Sequence, residues 1–369
     1  MKILVAPLDW GLGHATRCIP IIKYLLEQNC EVIICADGRA LQLLQKEFSS
    51  LEFVVMPGYN ISYPKNGSMI LKMILQIPKI LSAIKREHKL LKKIISEKKI
   101  DAVISDNRFG LWVENIFSSD LSLTESKNVP CVFITHQIMV KSSLGEKFIH
   151  LLNKNYISKF SECWIPDYEG ENNLSGELSH KFFLPKNAKY IGALSRFASY
   201  PSVFLNEKEM KYEMLIILSG PEPQRTLFEK KIIEQLDMIN KKVLIVQGIT
   251  EKNEMRKISE NVKMISHLTS EELQKEIISS EIILSRPGYS TVMDLAVLGK
   301  KAIFVPTPGQ TEQEYLANYF LEKKIAYSVT QKKFDIKTAL KESDKFTGFI
   351  QKVSGEEFKK VVDVFLSSL

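Results

Sequence analysis

The chain has little of what would take it out of the ordinary globular classes. It holds five cysteines in 369 residues. Cys18, Cys30, Cys35, Cys131 and Cys163 stand apart, mostly inside apolar runs such as EVIICA and VPCVFIT. No Cys-x-x-Cys pair occurs, which argues against a zinc site or a redox dithiol. Buried free thiols in a reducing compartment are the expectation. No uninterrupted apolar run reaches the ~18 residues of a membrane span. The opening MKILVAPLDW carries one lysine and a short apolar run, too little for a signal peptide, and reads as a first strand of a cytoplasmic protein. No charge sign dominates: 50 Lys and Arg against 43 Asp and Glu leave +7. These charges are spread and not interleaved with aromatics, which disfavours nucleic acid as a partner. No Asp-x-Asp pair is present to hold a diphosphate-bound metal, and no short solenoid repeat is evident.

What is present is an α/β pattern. Hydrophobic residues make up 45% and charged residues 25% of the chain, enough for two domains of common size. Short Val/Ile-rich runs, apolar on both faces, alternate with helical patterns. In the first half the expected strands are Lys2–Ala6, Glu31–Cys35, Glu52–Met56, Ala102–Ser105, Cys131–Thr135 and Cys163–Pro166. The helices between them are Ala15–Gln28, Arg39–Phe48, Ser68–Glu97 (kinked or divided at Pro78) and Gly145–Lys159. In the second half the strands are Met214–Leu218, Val243–Gln247, Val262–Ile265, Ile282–Ser285, Ala302–Val305 and Ala326–Val329. Its helices are Gln224–Met238, Ser270–Ile278, Thr291–Leu298, Glu312–Glu322 and Gly355–Leu366. Such strands suit parallel sheets covered on both faces. The expectation is an α/β domain at 1–192, a linker at 193–212 and a second α/β domain at 213–369, with a cleft between them. The last helix is placed back against the first domain.

Ligands of open α/β sheets sit beyond the carboxyl ends of the strands, so the loops there carry the candidates. DWGLGHATR follows the first strand. Gly11 and Gly13 permit a tight turn and close backbone approach. His14 then stands near a helix N-terminus, whose field keeps an imidazole neutral and fit to act as a general base; a capping histidine is the plainer alternative. SGPEPQ offers Ser219 and Gly220 to a phosphate at the next helix start, or is a simple strand-to-helix turn. SRPGYSTVMD gives a bend at Gly288, caps at Ser290 and Thr291, and Asp294 one turn on, where it meets a ribose or merely complements the helix dipole. PTPGQTEQEYLAN presents Gln310, Gln313 and Glu314, suited to sugar hydroxyls, or a capping box of Thr311 and Glu314. Asp106 and His136 end two first-half strands and are acceptor-side candidates. Finally, Ser68–Lys99 has helical apolar spacing and a basic tail of Lys85, Arg86, Lys89, Lys92 and Lys93. It reads as a core-packed helix with a solvated basic face, or as a helix lying on an anionic membrane.

Together these segments resemble glycosyltransferase family 28, in the same order over both halves. The most specific stretch is SRPGYSTVMDLAVLGKKAIFVPTPGQTEQEYLAN. The resemblance implies a GT-B fold of two doubly wound Rossmann-like domains and a hexosyltransferase using a UDP-sugar. By that match Arg286, Gly288, Tyr289, Ser290 and Thr291 line the diphosphate loop, with Ser219 and Gly220. Asp294 takes the place of the family's ribose-binding glutamate. Gln313 and Glu314 stand for its sugar-contacting Gln-Gln pair, beside Gln310. Gly11, Gly13 and Arg17 belong to the acceptor-side loop. His14 becomes the base, with Asp106 or His136 orienting the acceptor. Thr135-His136-Gln137 matches the family's His-Glu-Gln region. No metal and no cofactor beyond the co-substrate are expected. The reaction is expected to invert the anomeric centre, on an acceptor that is lipid-linked or at the inner membrane surface, in cell envelope glycan synthesis. A nucleotide-sugar hydrolase or epimerase on the same scaffold is the alternative.

Overall fold

The computed structural model describes residues 1–9, 11–59, 69–113, 129–138, 153–198, 210–349 and 354–369. Side chains are described from 76 onward in the helix that starts at Met69. The expected helix Gly145–Lys159 lies largely outside these residues, as does the middle of the 193–212 connection.

Two seven-stranded sheets form the frame. The first contains β1 (Lys2–Pro7), β2 (Glu31–Ala36), β3 (Glu52–Val55), β4 (Ala102–Asp106), β5 (Cys131–Ile134), β6 (Glu162–Ile165) and β7 (Ala188–Tyr190). Its order is β3-β2-β1-β4-β5-β6-β7, parallel throughout. The second contains β8 (Tyr212–Ile217), β9 (Val243–Val246), β10 (Met255–Lys257), β11 (Val262–Ile265), β12 (Ser280–Ser285), β13 (Lys301–Phe304) and β14 (Tyr327–Ser328). Its order is β10-β11-β9-β8-β12-β13-β14, and β10 alone runs antiparallel. The short strands β7 and β10 escape the sequence pattern because three residues show no period.

The helices that matter are α1 (Leu12–Glu27), α2 (Gly38–Glu47), α3 (Met69–Lys98), α4 (Glu177–His180), α5 (Gln224–Leu236), α6 (Ser270–Ile278), α7 (Tyr289–Leu298), α8 (Thr311–Glu322), α9 (Ile336–Ser343) and α10 (Glu357–Ser367). α3 runs unbroken through Pro78, so the expected division there does not occur. Its inward face (Ala83, Ile84, Leu91, Ile94) is buried, while Lys85, Arg86, Lys89, Lys92 and Lys93 are exposed. One buried apolar cluster contains side chains of both sheets, so the halves share packing. α10 returns to the first half, where Phe358 meets Tyr24 edge-on at 5.9 Å, Phe365 meets Trp164 at 5.5 Å, and Tyr24 donates to Asp363 at 2.6 Å.

The strand order fixes where ligands fit. Neighbours of β1 diverge to β2 and β4, and neighbours of β8 diverge to β9 and β12. Crevices open at such switch points, beyond the carboxyl ends. The residues found there are Leu8, Asp9 and Gly11 with the loop Asp106–Arg108 in one sheet, and the loops Leu218–Pro223 and Arg286–Gly288 in the other. All five cysteines are buried and free.

Candidate active site

The loop after β1 and the first turn of α7 touch. Ser290 donates its hydroxyl to the Gly13 carbonyl at 2.7 Å, and a Cβ on Gly13 would sit 3.1 Å from that hydroxyl. Glycine at 13 therefore sets how closely the halves approach. Gly11 turns at φ +104° and faces open space.

Behind this contact lies a polar network. Asp106, at the end of β4, and Arg17, in the second turn of α1, are buried and paired through both carboxylate oxygens. His14 Nδ1 is 2.8 Å from Asp106 Oδ1. The Arg17 guanidinium, with His14, outweighs burial and holds the Asp106 carboxyl at about 2. His14 Nδ1 also lies 2.9 Å from Arg17 Nη2; the carboxylate only accepts, and with the ring proton on Nδ1 the imidazole donates to it while Nε2 keeps its lone pair. Burial, against the pull of Asp106, holds the His14 imidazole below its ordinary value. That combination is a neutral base whose ring is fixed by a carboxylate. The field of the helix N-terminus, expected to neutralise His14, thus gives way to burial as the leading cause.

Arg17 also donates from Nη1 to His136 Nδ1 at 2.7 Å. A guanidinium has no acceptor, so His136 carries its proton on Nε2. Two second-half residues clamp His136. Tyr289 stacks on it at 4.3 Å and 11°, and Glu312 Oε1 lies 3.2 Å from Nε2. Gln137 donates to the other Glu312 oxygen at 2.8 Å.

The second half corrects several expectations. Arg286 does not present its fork to a diphosphate. Its Nη groups are spent on the carbonyls of Val305, Pro306 and Gln224 and on Gln331 Oε1, and its guanidinium lies 4.2 Å over Phe228. Burial pushes it down to about 9, still protonated at neutral pH. Tyr289 does not line the loop: it is buried and donates to the Pro166 carbonyl at 2.9 Å. Asp294 is not poised for a ribose. α7 begins two residues earlier than expected, so Asp294 lies deeper and faces inward, accepting from Ser195 Oγ at 2.7 Å and Arg196 Nε at 3.1 Å. Neither Ser290 nor Thr291 caps α7; Gly288 holds that position at φ −71°, a conformation open to any residue. Gln313 and Glu314 fold back on their own loop, accepting from Thr307 N and Gly309 N at 2.8 Å each. This is a cap, though not the box of Thr311 and Glu314. Gln310 is the N-cap of α8.

What the corner does offer is unspent polarity. Among the described residues, Ser285 Oγ, Thr307 Oγ1, Gln310 Oε1 and Arg286 Nε are buried and without a hydrogen-bond partner. Ser285 ends β12, and Thr307 follows β13, the neighbouring strand. Gly220, at φ +102° beyond β8, is close enough that a Cβ would meet Thr307 Oγ1 at 3.3 Å. Ser219 and Gly220 are half-buried beside them, and the Cβ position of Gly288 faces open space. Ser285 and Thr307 escaped the sequence reading, though the carboxyl-edge rule applied to β12 and β13 points to both. Glu312 was passed over because it looks like any acidic residue of a first helical turn.

A polar cavity of about 840 Å³ opens between the flank of α8 and the segment leading into α4, lined by Asn172, Asn173, Tyr315 and Tyr319 among others. None of the expected site residues lines it. Among the described residues no cluster of metal-ligating side chains is found, and no helix is long and apolar enough to cross a membrane.

Two doubly wound, mostly parallel domains packed on one another define the GT-B fold. The structure aligns over 100% of its length with 99% of the glycotransferase of kitacinnamycin (TM-score 0.65, 11% identity). It aligns over 98% with 99% of MurG from Acinetobacter baumannii (TM-score 0.55, 14%). UDP-GlcNAc 2-epimerase from Neisseria meningitidis shares the fold, with both chains covered in full (TM-score 0.58, 14%). An uncharacterized glycosyltransferase of Methanosarcina acetivorans is 24% identical over 328 residues, 85% of this chain and 82% of its own. The UDP-N-acetylglucosamine--N-acetylmuramyl-(pentapeptide) pyrophosphoryl-undecaprenol N-acetylglucosamine transferase of Rhodopseudomonas palustris is 28% identical over 111 residues, 28% of this chain and 30% of its own. Residues 215–360 match the glycosyltransferase family 28 C-terminal domain. The second half of the chain thus carries a domain of that family, and the protein is a transferase enzyme.

Proposed function

We propose that the protein moves a hexose or N-acetylhexosamine from a UDP-sugar to an acceptor hydroxyl seated on the first half, with inversion and without metal or further cofactor. The observation that carries this reading is the His14–Asp106 pair set directly across from the α7 corner. In the reaction His14 Nε2 accepts the proton of the acceptor hydroxyl, whose oxygen attacks the anomeric carbon. The bond from that carbon to the diphosphate oxygen breaks, and the diphosphate leaves with the electron pair. Ser285, Thr307, the backbone near Gly220 and the first N–H groups of α7 stabilise its charge, the role a metal plays elsewhere. In this reading Ser219, Thr291 and Gln310 also contact the donor. The UDP assignment draws on the names of the palustris transferase and the epimerase.

A lipid-linked acceptor at the inner membrane face fits two features. The palustris relative's name specifies an undecaprenol-linked acceptor. On α3, Ile77 and Leu81 are 48% and 43% exposed, one turn apart and ahead of the basic side chains. An apolar pair with adjoining cations suits an anionic membrane surface.

Replacing His14 by Ala tests the chemistry. Turnover should fall by ~10²–10⁴-fold while UDP binding measured by calorimetry stays near wild type. Full turnover in that variant removes His14 from the mechanism. Product analysis separates the alternative: free sugar or an epimerised UDP-sugar, formed at turnover rates with no acceptor, means hydrolase or epimerase.

A further inference from the structure

We propose that Glu312 is a positioning residue: through His136 it couples the donor-side half to the orientation of the His14 base. The inference rests on the transferase reading above.

Among the described residues, one member of the network comes from the second half and reaches it by charge. His14, Asp106, Arg17 and His136 all belong to elements of the first half. Glu312 sits in the first turn of α8, beside the Gln310 N-cap, on the donor side. Its role exceeds that of a first-turn acid, which would face water above its own helix. Instead its carboxylate is 19% exposed and spans two consecutive first-half residues, with Oε2 taking the Gln137 amide and Oε1 beside His136 Nε2. The approach to Nε2 is close but out of line for a hydrogen bond, and among the described residues Nε2 has no other partner. A small ring rotation completes the bond.

The consequence runs down a chain of fixed protons. An acceptor at Nε2 selects the tautomer with a lone pair on Nδ1, the one that accepts from Arg17 Nη1. The opposite tautomer would set a ring N–H against a guanidinium N–H, two donors at 2.7 Å. Arg17 would then turn away from Asp106, and Asp106 would lose the grip that aims it at His14 Nδ1. Stacking by Tyr289 fixes the plane of the His136 ring but cannot choose its tautomer; Arg17 at Nδ1 and Glu312 at Nε2 set it together. The base is therefore fully set only when the donor half is docked.

Glu312→Ala and Glu312→Gln test this, since Gln keeps an acceptor for Nε2–H. Misplacing a catalytic group by about 1 Å costs on the order of 10²-fold. The expected result is a kcat fall of that size for E312A, recovery of most of it in E312Q, and a UDP dissociation constant unchanged in both. A second readout does not need activity. Side-chain ¹⁵N NMR of His136, assigned with His136→Asn, should show the Nε2–H tautomer in wild type and a mixture in E312A. Wild-type kcat in E312A, a loss confined to the donor KM, or an unchanged His136 tautomer overturns the proposal. If wild-type protein transfers no sugar from any UDP-sugar, the transferase reading fails, and the NMR arm alone still decides the coupling.

Discussion

Asp106→Asn puts the central pair under direct test. The Asp106 side chain is 0% exposed and Arg17 is 2% exposed, so water screens neither. The carboxyl, ordinarily near 3.8, is held at about 2. That displacement corresponds to ~2 kcal/mol of stability at neutral pH. The sign follows from the direction. A depressed carboxyl stabilises the fold above its unfolded value, and the contribution disappears as pH falls through the folded value of about 2. The amide also leaves the Arg17 charge buried without a counter-ion, for which losses of about 3–5 kcal/mol are typical. Urea unfolding of both proteins at pH 7, followed by tryptophan fluorescence, should therefore show a gap of roughly 2–5 kcal/mol. The gap should persist at pH 5, where both carboxyl states are still ionised. Turnover of the variant should fall by ~10²-fold or more, since the amide no longer orients His14 as an ionised carboxylate does. A stability gap under about 1 kcal/mol, in the range of an exposed pair, refutes the assignment of Arg17–Asp106 as a desolvated pair holding the base.

Other expectations follow from the same geometry. Arg286→Ala strips partners from the Val305, Pro306 and Gln224 carbonyls, each orphaned acceptor costing about 1–3 kcal/mol; thermal unfolding should drop clearly. If stability is unaffected and only UDP affinity falls, Arg286 faces the ligand after all. Thr307→Val removes an unpartnered hydroxyl and should weaken UDP binding several-fold while leaving the melting temperature near wild type; equal affinity for UDP would remove Thr307 from the recess. Gly13→Val places carbon against the Ser290 hydroxyl and should lower kcat without changing UDP affinity in calorimetry. Ile77→Glu with Leu81→Glu should abolish co-sedimentation with phosphatidylglycerol vesicles at low salt, and binding that survives the pair of changes places the membrane contact elsewhere.

Much of the architecture was legible from one sequence. Runs such as KILVA, EVIIC, VLIV and AIF are apolar on both faces because both faces of a parallel sheet are covered, and each became a strand within a residue or two. The glycine loop, the corner at Arg286 and the Pro-Gly loop all fell at carboxyl ends, as the alternation requires. The direction of individual side chains was less legible. A helix phase shifted by two residues turned Asp294 from the presumed ribose edge into the core. Arg286, Gln313 and Glu314 looked like ligand groups, yet each closes a loop whose backbone would otherwise be left without partners.

Local spacing, then, determined the two parallel sheets and which loops adjoin the cleft, because period and turn chemistry act between near neighbours. The active arrangement was decided by contacts far apart in the chain: His14 with Asp106 across 92 positions, Gln137 with Glu312 across 175, Ser290 with Gly13 across 277. Such pairs leave no mark on composition or periodicity. They exist because packing the two halves together buries charges that must then find partners in whichever segment the fold brings near.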